Sequence, residues 1–170
     1  MSLKLWLIAA LLFVTTPVQA EELNLGENGK ASVNMRESQG QYVLSVRLPS
    51  GNNQRIEEDF VPFDYEGHQA AIAIQDFNAD GSEDFAVRVM FSPISGGLYI
   101  YQYSAKEKKF VPMIVGKSAD TDYLPVDSVG AVRMDRRGRV TTRITERGEF
   151  SDKVSDRTYN FINGKFKRVP

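Results

Sequence analysis

Oxygen-bearing residues at alternate positions, Asp76, Asn78, Asp80, Ser82 and Asp84, mark the segment of this sequence best suited to chemistry. The run Asp76-Phe77-Asn78-Ala79-Asp80-Gly81-Ser82-Glu83-Asp84 fits the pattern D-x-N-x-D-G-x-x-D. Oxygens at every second position converge on one centre when the chain curls, and a glycine at the sixth position permits the sharp turn. Asp76, Asn78, Asp80 and Asp84 are the expected side-chain ligands of a calcium ion, and Ser82 is expected to add its main-chain oxygen. The glutamate that closes an EF-hand is absent, Val87 standing in its place, and the flanks read as strands rather than helices. The competing reading is an acidic turn that binds nothing tightly. Four oxygen side chains at the right offsets favour calcium, in a structural role, because crowded carboxylates repel one another without a cation.

A second segment, Ser92-Pro93-Ile94-Ser95-Gly96-Gly97-Leu98-Tyr99, reads by local physics as a hairpin loop. Pro93 is expected to end a strand, and Gly96 and Gly97 to supply positive φ angles. Other candidates are weaker. His68 lacks a positioned partner and no G-x-S-x-G elbow accompanies it. Glu57, Glu58, Asp59 and Asp64 have no spacing that singles out a glycosidase pair. Arg133, Arg136, Arg137, Arg139, Arg143 and Arg147 make one stretch locally basic; a solvated hairpin face is the preferred reading, and a surface for an acidic partner or anionic polymer is the alternative.

Composition narrows the chemistry further. The 170 residues contain no cysteine and one histidine, which excludes disulfides, thiol nucleophiles, thiolate metal sites and multi-histidine centres. A balance of 21 basic against 22 acidic side chains argues against nucleic-acid binding. Residues 1–20 combine Lys4, an apolar run from Leu5 to Val14 and a Val18-Gln19-Ala20 ending, the three parts of a secretory signal peptide cleaved after Ala20. The apolar run is too short to span a bilayer, so no stable membrane anchor is expected. No cysteine follows the cleavage point, so no lipid anchor is expected either. Residues 21–170 are then a single exported domain that must hold together without disulfides.

Strands must position these groups. Alternation places Tyr42, Leu44, Val46 and Leu48 on one face, and Ala71–Ile74, Phe85–Phe91 and Leu98–Tyr103 are β-prone. Val140, Thr142 and Ile144 alternate with polar partners, and Asn163-Gly164 between two strand-like runs is a strong hairpin signal. No sustained helical stripe occurs. An all-β domain of antiparallel sheets with little helix follows, as a sandwich, a barrel or propeller-like blades, with room for two divergent four-stranded units.

Two resemblances add to this reading. The aspartate loop running into Phe85-Ala86-Val87 resembles the calcium loops of FG-GAP and VCBS-type β repeats. The order from Gln75 to Phe110, with Ser95-Gly96-Gly97-Leu98-Tyr99 as S-G-x-x-Y, is similar to periplasmic I-type lysozyme inhibitors. It is similar also to the related immunity proteins that bacteria such as Xanthomonas keep against peptidoglycan-cleaving effectors. Tyr101, Tyr103, Lys108, Lys109 and Phe110 belong to the same likeness, as does the closing hairpin Tyr159–Lys165. The resemblance implies a periplasmic protein that performs no catalysis and plugs the cleft of a lysozyme-like hydrolase. In that role Ser95 would donate to a catalytic carboxylate, Gly96 and Gly97 would permit close approach, and Tyr99 would brace the loop. Ser95→Ala and Gly96→Asp are expected to weaken inhibition and leave the fold intact. The alternative function is a calcium-stabilised, non-catalytic module that binds glycan or an envelope protein, and an uncharacterised hydrolase comes third.

Overall fold

Ala31, Val33 and Met35 alternate with Ser32, Asn34 and Arg36, and this period of two turns one face of the strand to a core and the other to water. A computed structural model describes residues 20–38, 41–57, 72–92, 95–115, 123–127, 132–135, 137–148 and 151–169. The amino-terminal apolar run, His68, Glu58, Asp59 and Asp64 lie outside the described residues. The first sheet is a meander of β1 (Glu21–Asn24), β2 (Lys30–Ser38), β3 (Gln41–Arg47) and β4 (Asn53–Glu57), in that order. A 3-10 turn, Gly26–Asn28, separates β1 from β2.

The chain continues through β5 (Ile72–Gln75), β6 (Asp84–Ser92), β7 (Ser95–Ser104), β8 (Lys109–Pro112), β9 (Ile114–Val115) and β10 (Tyr123–Val126). It ends with β11 (Val132–Met134), β12 (Val140–Glu146), β13 (Lys153–Ile162) and β14 (Lys165–Arg168). The second sheet has the order β10-β7-β6-β5, with β8 also paired to β7, and the third has the order β11-β12-β13-β14-β9. Pairing is antiparallel except between β14 and β9, where Phe166 lies opposite Val115 in a parallel contact.

The second sheet is the middle layer, and its strands are apolar on both faces, as a sheet buried on two sides requires. Phe85, Val87, Val89 and Tyr101 pack with Leu23, Val33, Leu44 and Val46 of the first sheet. Ala86, Leu98, Ile100 and Leu124 pack with Val140, Tyr159 and Phe166 of the third. The all-β expectation therefore holds, and the units number three rather than two. The Gln54 side chain joins the outer layer to the middle one. Its amide nitrogen donates to the Phe110 carbonyl at 2.8 Å, and its amide oxygen accepts from the Phe110 N–H at 2.8 Å. The closing hairpin forms as its Asn-Gly signal requires: Asn163 and Gly164 have φ of 53° and 76°, the left-handed pair of a two-residue turn whose twist suits β13 and β14.

Candidate functional site

The aspartate loop is the connection from β5 to β6, closed by the opposition of Gln75 and Asp84. Phe77 is 2% exposed and anchors it in the core between the second and third sheets. Ala79 and Gly81 take the left-handed conformation, with φ of 59° and 90°. The side chains then curl inward on the loop's own backbone. Asp76 accepts from the N–H of Asp80 at 3.0 Å and of Gly81 at 2.9 Å, and Asp80 accepts from the Ser82 N–H at 2.8 Å. Asn78 accepts from the Asp80 N–H at 2.9 Å and donates to Asp80 at 2.9 Å and to Gln102 at 3.1 Å.

Neighbouring sheets meet the loop on two sides. The Glu83 N–H donates to the Asn24 carbonyl at 2.8 Å, and the Glu83 carboxylate accepts from the Asn24 N–H at 2.6 Å. A Cβ on Gly138, in the turn before β12, would lie 3.0 Å from the Ala79 Cβ. The sequence pattern gives Glu83 no role and does not include Asn24; only the fold brings these residues, 59 positions apart, into contact.

Asp84 is the unusual member. It is 1% exposed, its Oδ2 accepts from the Phe77 N–H at 2.9 Å, and its Oδ1 has no hydrogen-bond partner. Burial pushes this carboxyl up to about 8, helped by the charges of Asp80 and Asp76 and opposed by the backbone N–H groups of Phe77 and Asn78. Among the described residues no three acidic or histidine side chains converge as a metal centre. The donor set nevertheless fits a hard cation. Every candidate ligand is an oxygen, a carboxylate has about four lone-pair sites of which backbone bonds use only some, and the orphaned Asp84 oxygen is an acceptor that a cation would satisfy. Asp76, Asn78, Asp80, Asp84 and the Ser82 main-chain oxygen would hold it.

The serine-glycine segment is placed differently from its sequence reading. Ser95, Gly96, Gly97 and Tyr99 all belong to β7 rather than to a loop. Gly96 and Gly97 have no positive φ, and both are buried. Their missing side chains make room for the chain itself. A Cβ on Gly96 would stand 2.3 Å from the Val89 carbonyl oxygen, and one on Gly97 would stand 2.8 Å from the Tyr123 ring and 2.9 Å from that of Phe91. A Gly96→Asp change therefore disturbs the sheet, contrary to the expectation that it spares the fold.

Pro93 and Ile94 lie outside the described residues; Phe91 and Ser95, both exposed, and half-buried Ser92 flank them. The Ser92 and Ser95 hydroxyls are 2.7 Å apart, and the Ser95 N–H donates to the Ser92 hydroxyl at 3.1 Å. The register shifts between Met90 and Ser92, a bulge that re-aims Phe91. Phe91 is 50% exposed and meets the Tyr123 ring edge-on at 5.0 Å; Tyr123 in turn meets Tyr99 at 5.4 Å. Tyr99 is half-buried against the first core. The sequence gives Phe91 and Ser92 no site role, because the register shift that sets Phe91 beside the serines arises only from strand pairing.

In the basic stretch, Arg139 pairs with Asp135 at 2.5 Å and Arg143 with Asp156 at 3.2 Å, so part of its charge is already matched. Arg136 lies outside the described residues. Comparison with known proteins finds no matching family model, no matching curated protein and no matching solved structure.

Proposed function

We propose that the protein is an exported, stoichiometric inhibitor of a lysozyme-like peptidoglycan hydrolase, of the immunity type, and that it engages its target with the end of the β6–β7 hairpin. The observation that carries this reading is the serine pair of half-buried Ser92 and exposed Ser95, held where two long strands end. Clefts that cleave glycosidic bonds hold two carboxyl groups, one protonated and one ionised, on either side of the scissile bond. A hydroxyl both donates and accepts, so a hydroxyl pair can meet both groups at once. Bracing matters as much as chemistry, because a site built on strands keeps its geometry better than one on a free loop. Val89, Tyr123 and Tyr99 supply that bracing from inside the protein, around the two glycines. Phe91 adds an exposed aromatic anchor beside the serines, the residue type that dominates binding energy at interfaces. Export rests on the three-part pattern of residues 1–20.

The second reading, a calcium-stabilised module that binds glycan or an envelope protein without blocking catalysis, is favoured by one feature: the orphaned oxygen of buried Asp84 in the aspartate loop. Calcium at that loop is part of both readings. A turbidity assay on Micrococcus-type cell walls with a panel of lysozymes separates them. Dose-dependent protection of the walls against at least one enzyme is the expected result. Binding to walls or enzyme without protection supports the module, and wall lysis by the protein alone contradicts both.

A further inference from the structure

Outside the hairpin and the aspartate loop, a chemically distinctive surface among the described residues is the outer face of the first sheet. Strand register assembles it from three places in the chain. Across β2, β3 and β4, Asn34 lies opposite Ser45 and Ser45 opposite Arg55; one step along, Arg47 lies opposite Asn53; one step the other way is Arg36. Arg47 and Arg55 are therefore diagonal neighbours on this face, a relation that puts long side chains about 7–8 Å apart at their bases. The face forms a groove of about 510 Å³ lined by all three arginines. That volume lies inside the range of roughly 300–1,000 Å³ typical of ligand sites.

Charge and polarity define what this groove would take. Arg55 is paired with Glu57, whereas Arg36 and Arg47 have no ion-pair partner among the described residues. The surplus is positive and is carried by guanidinium forks, which grip carboxylates through two parallel hydrogen bonds. Around them stand amides and hydroxyls, Asn34, Asn53 and Ser45, the groups that bond to sugar hydroxyls. The Asn34 amide oxygen is buried without a partner, an acceptor with capacity for one more donor. The one large apolar side chain of this face, Val43, is only 8% exposed. A protein partner would need an apolar or aromatic anchor at its centre, and the face offers none.

From this geometry we infer that the β2–β3–β4 groove is a binding site for a carboxylate-bearing saccharide, with Arg36 and Arg47 holding the acid groups and Asn34, Ser45 and Asn53 the hydroxyls. The site stands apart from the hairpin, so its success or failure is separate from that of the inhibitor reading.

Calorimetric titration of the full exported chain with hexagalacturonate tests it, alongside neutral cellohexaose and hexaglutamate. The expected result is saturable binding of hexagalacturonate below about 1 mM, weakening as salt is raised and absent for cellohexaose. The double variant Arg36→Ala/Arg47→Ala should weaken binding at least about tenfold with an unchanged melting temperature, since both side chains are exposed. Arg47→Lys, which keeps the charge and loses the fork, should fall between the two. No saturable binding, equal binding of cellohexaose, tighter binding of hexaglutamate, or full binding by the double variant would each overturn the assignment.

Discussion

Asp84 carries the electrostatic cost of the aspartate loop. A carboxyl whose folded value is raised binds a proton in the folded state that the unfolded chain releases, so its contribution to stability declines as pH rises between the two values. For Asp84 that window runs from 3.8 to about 8. In the presence of chelator, Asp84→Asn should remove this part of the pH dependence, because the amide oxygen still accepts from the Phe77 N–H and cannot ionise. Its melting temperature relative to the unsubstituted protein should therefore rise steadily from pH 5 toward pH 8. With calcium present the order should reverse at pH 8, since the variant has lost a ligand. A difference that stays constant with pH in chelator contradicts this account. The loop was legible at this scale because a calcium-type spacing is a local pattern. The orphaned oxygen was not, because it depends on Phe77 entering the core and drawing Asp84 in behind it.

Strands explain why the serine-glycine motif reads as a loop and folds as part of a sheet. The absence of a Cβ at Gly96 and Gly97 is the same signal in a turn and in a close approach between strands. Sequence alone favours the turn, whereas the fold sets Gly96 between Met90 and Val126 in the middle of a sheet. Alternation at Leu44, Val46 and Val140 was legible because each strand has one wet face or one dry one. The short parallel contact of β9 with β14 was not, because two residues carry no period. Gly96→Ala should destabilise the protein by about 1–3 kcal/mol, the usual range for overpacking a well-packed sheet, as the Val89 carbonyl must move. Denaturant unfolding measures it. A variant as stable as the parent would show that the sheet yields freely there.

At the level of the whole molecule, the aspartate loop touches all three sheets through Asn24, Gln102 and the Gly138 turn. A cation there is expected to act on one cooperative unit rather than on a local loop. Extracellular calcium modules bind at roughly 10⁻⁴–10⁻³ M, so calcium at about 10 mM should raise a single melting transition by roughly 3–10 °C. Asp80→Ala should abolish the rise, and an identical melt in excess chelator would argue against the site. Global charge distribution was hidden in the sequence for the opposite reason to the loop. The conspicuous run from Arg133 to Arg147 is partly neutralised by Asp135 and Asp156, whereas Arg36, Arg47 and Arg55 meet only through strand register. The central claim, that the serine end of the β6–β7 hairpin blocks a peptidoglycan hydrolase, is tested most directly by inhibition curves for the unsubstituted protein and Ser95→Ala against the most sensitive lysozyme of the panel. Ser95 is exposed, so the variant should melt unchanged, and its inhibitory potency should fall at least about tenfold, the loss of one charge-assisted hydrogen bond. Equal potency in a folded variant would contradict the claim.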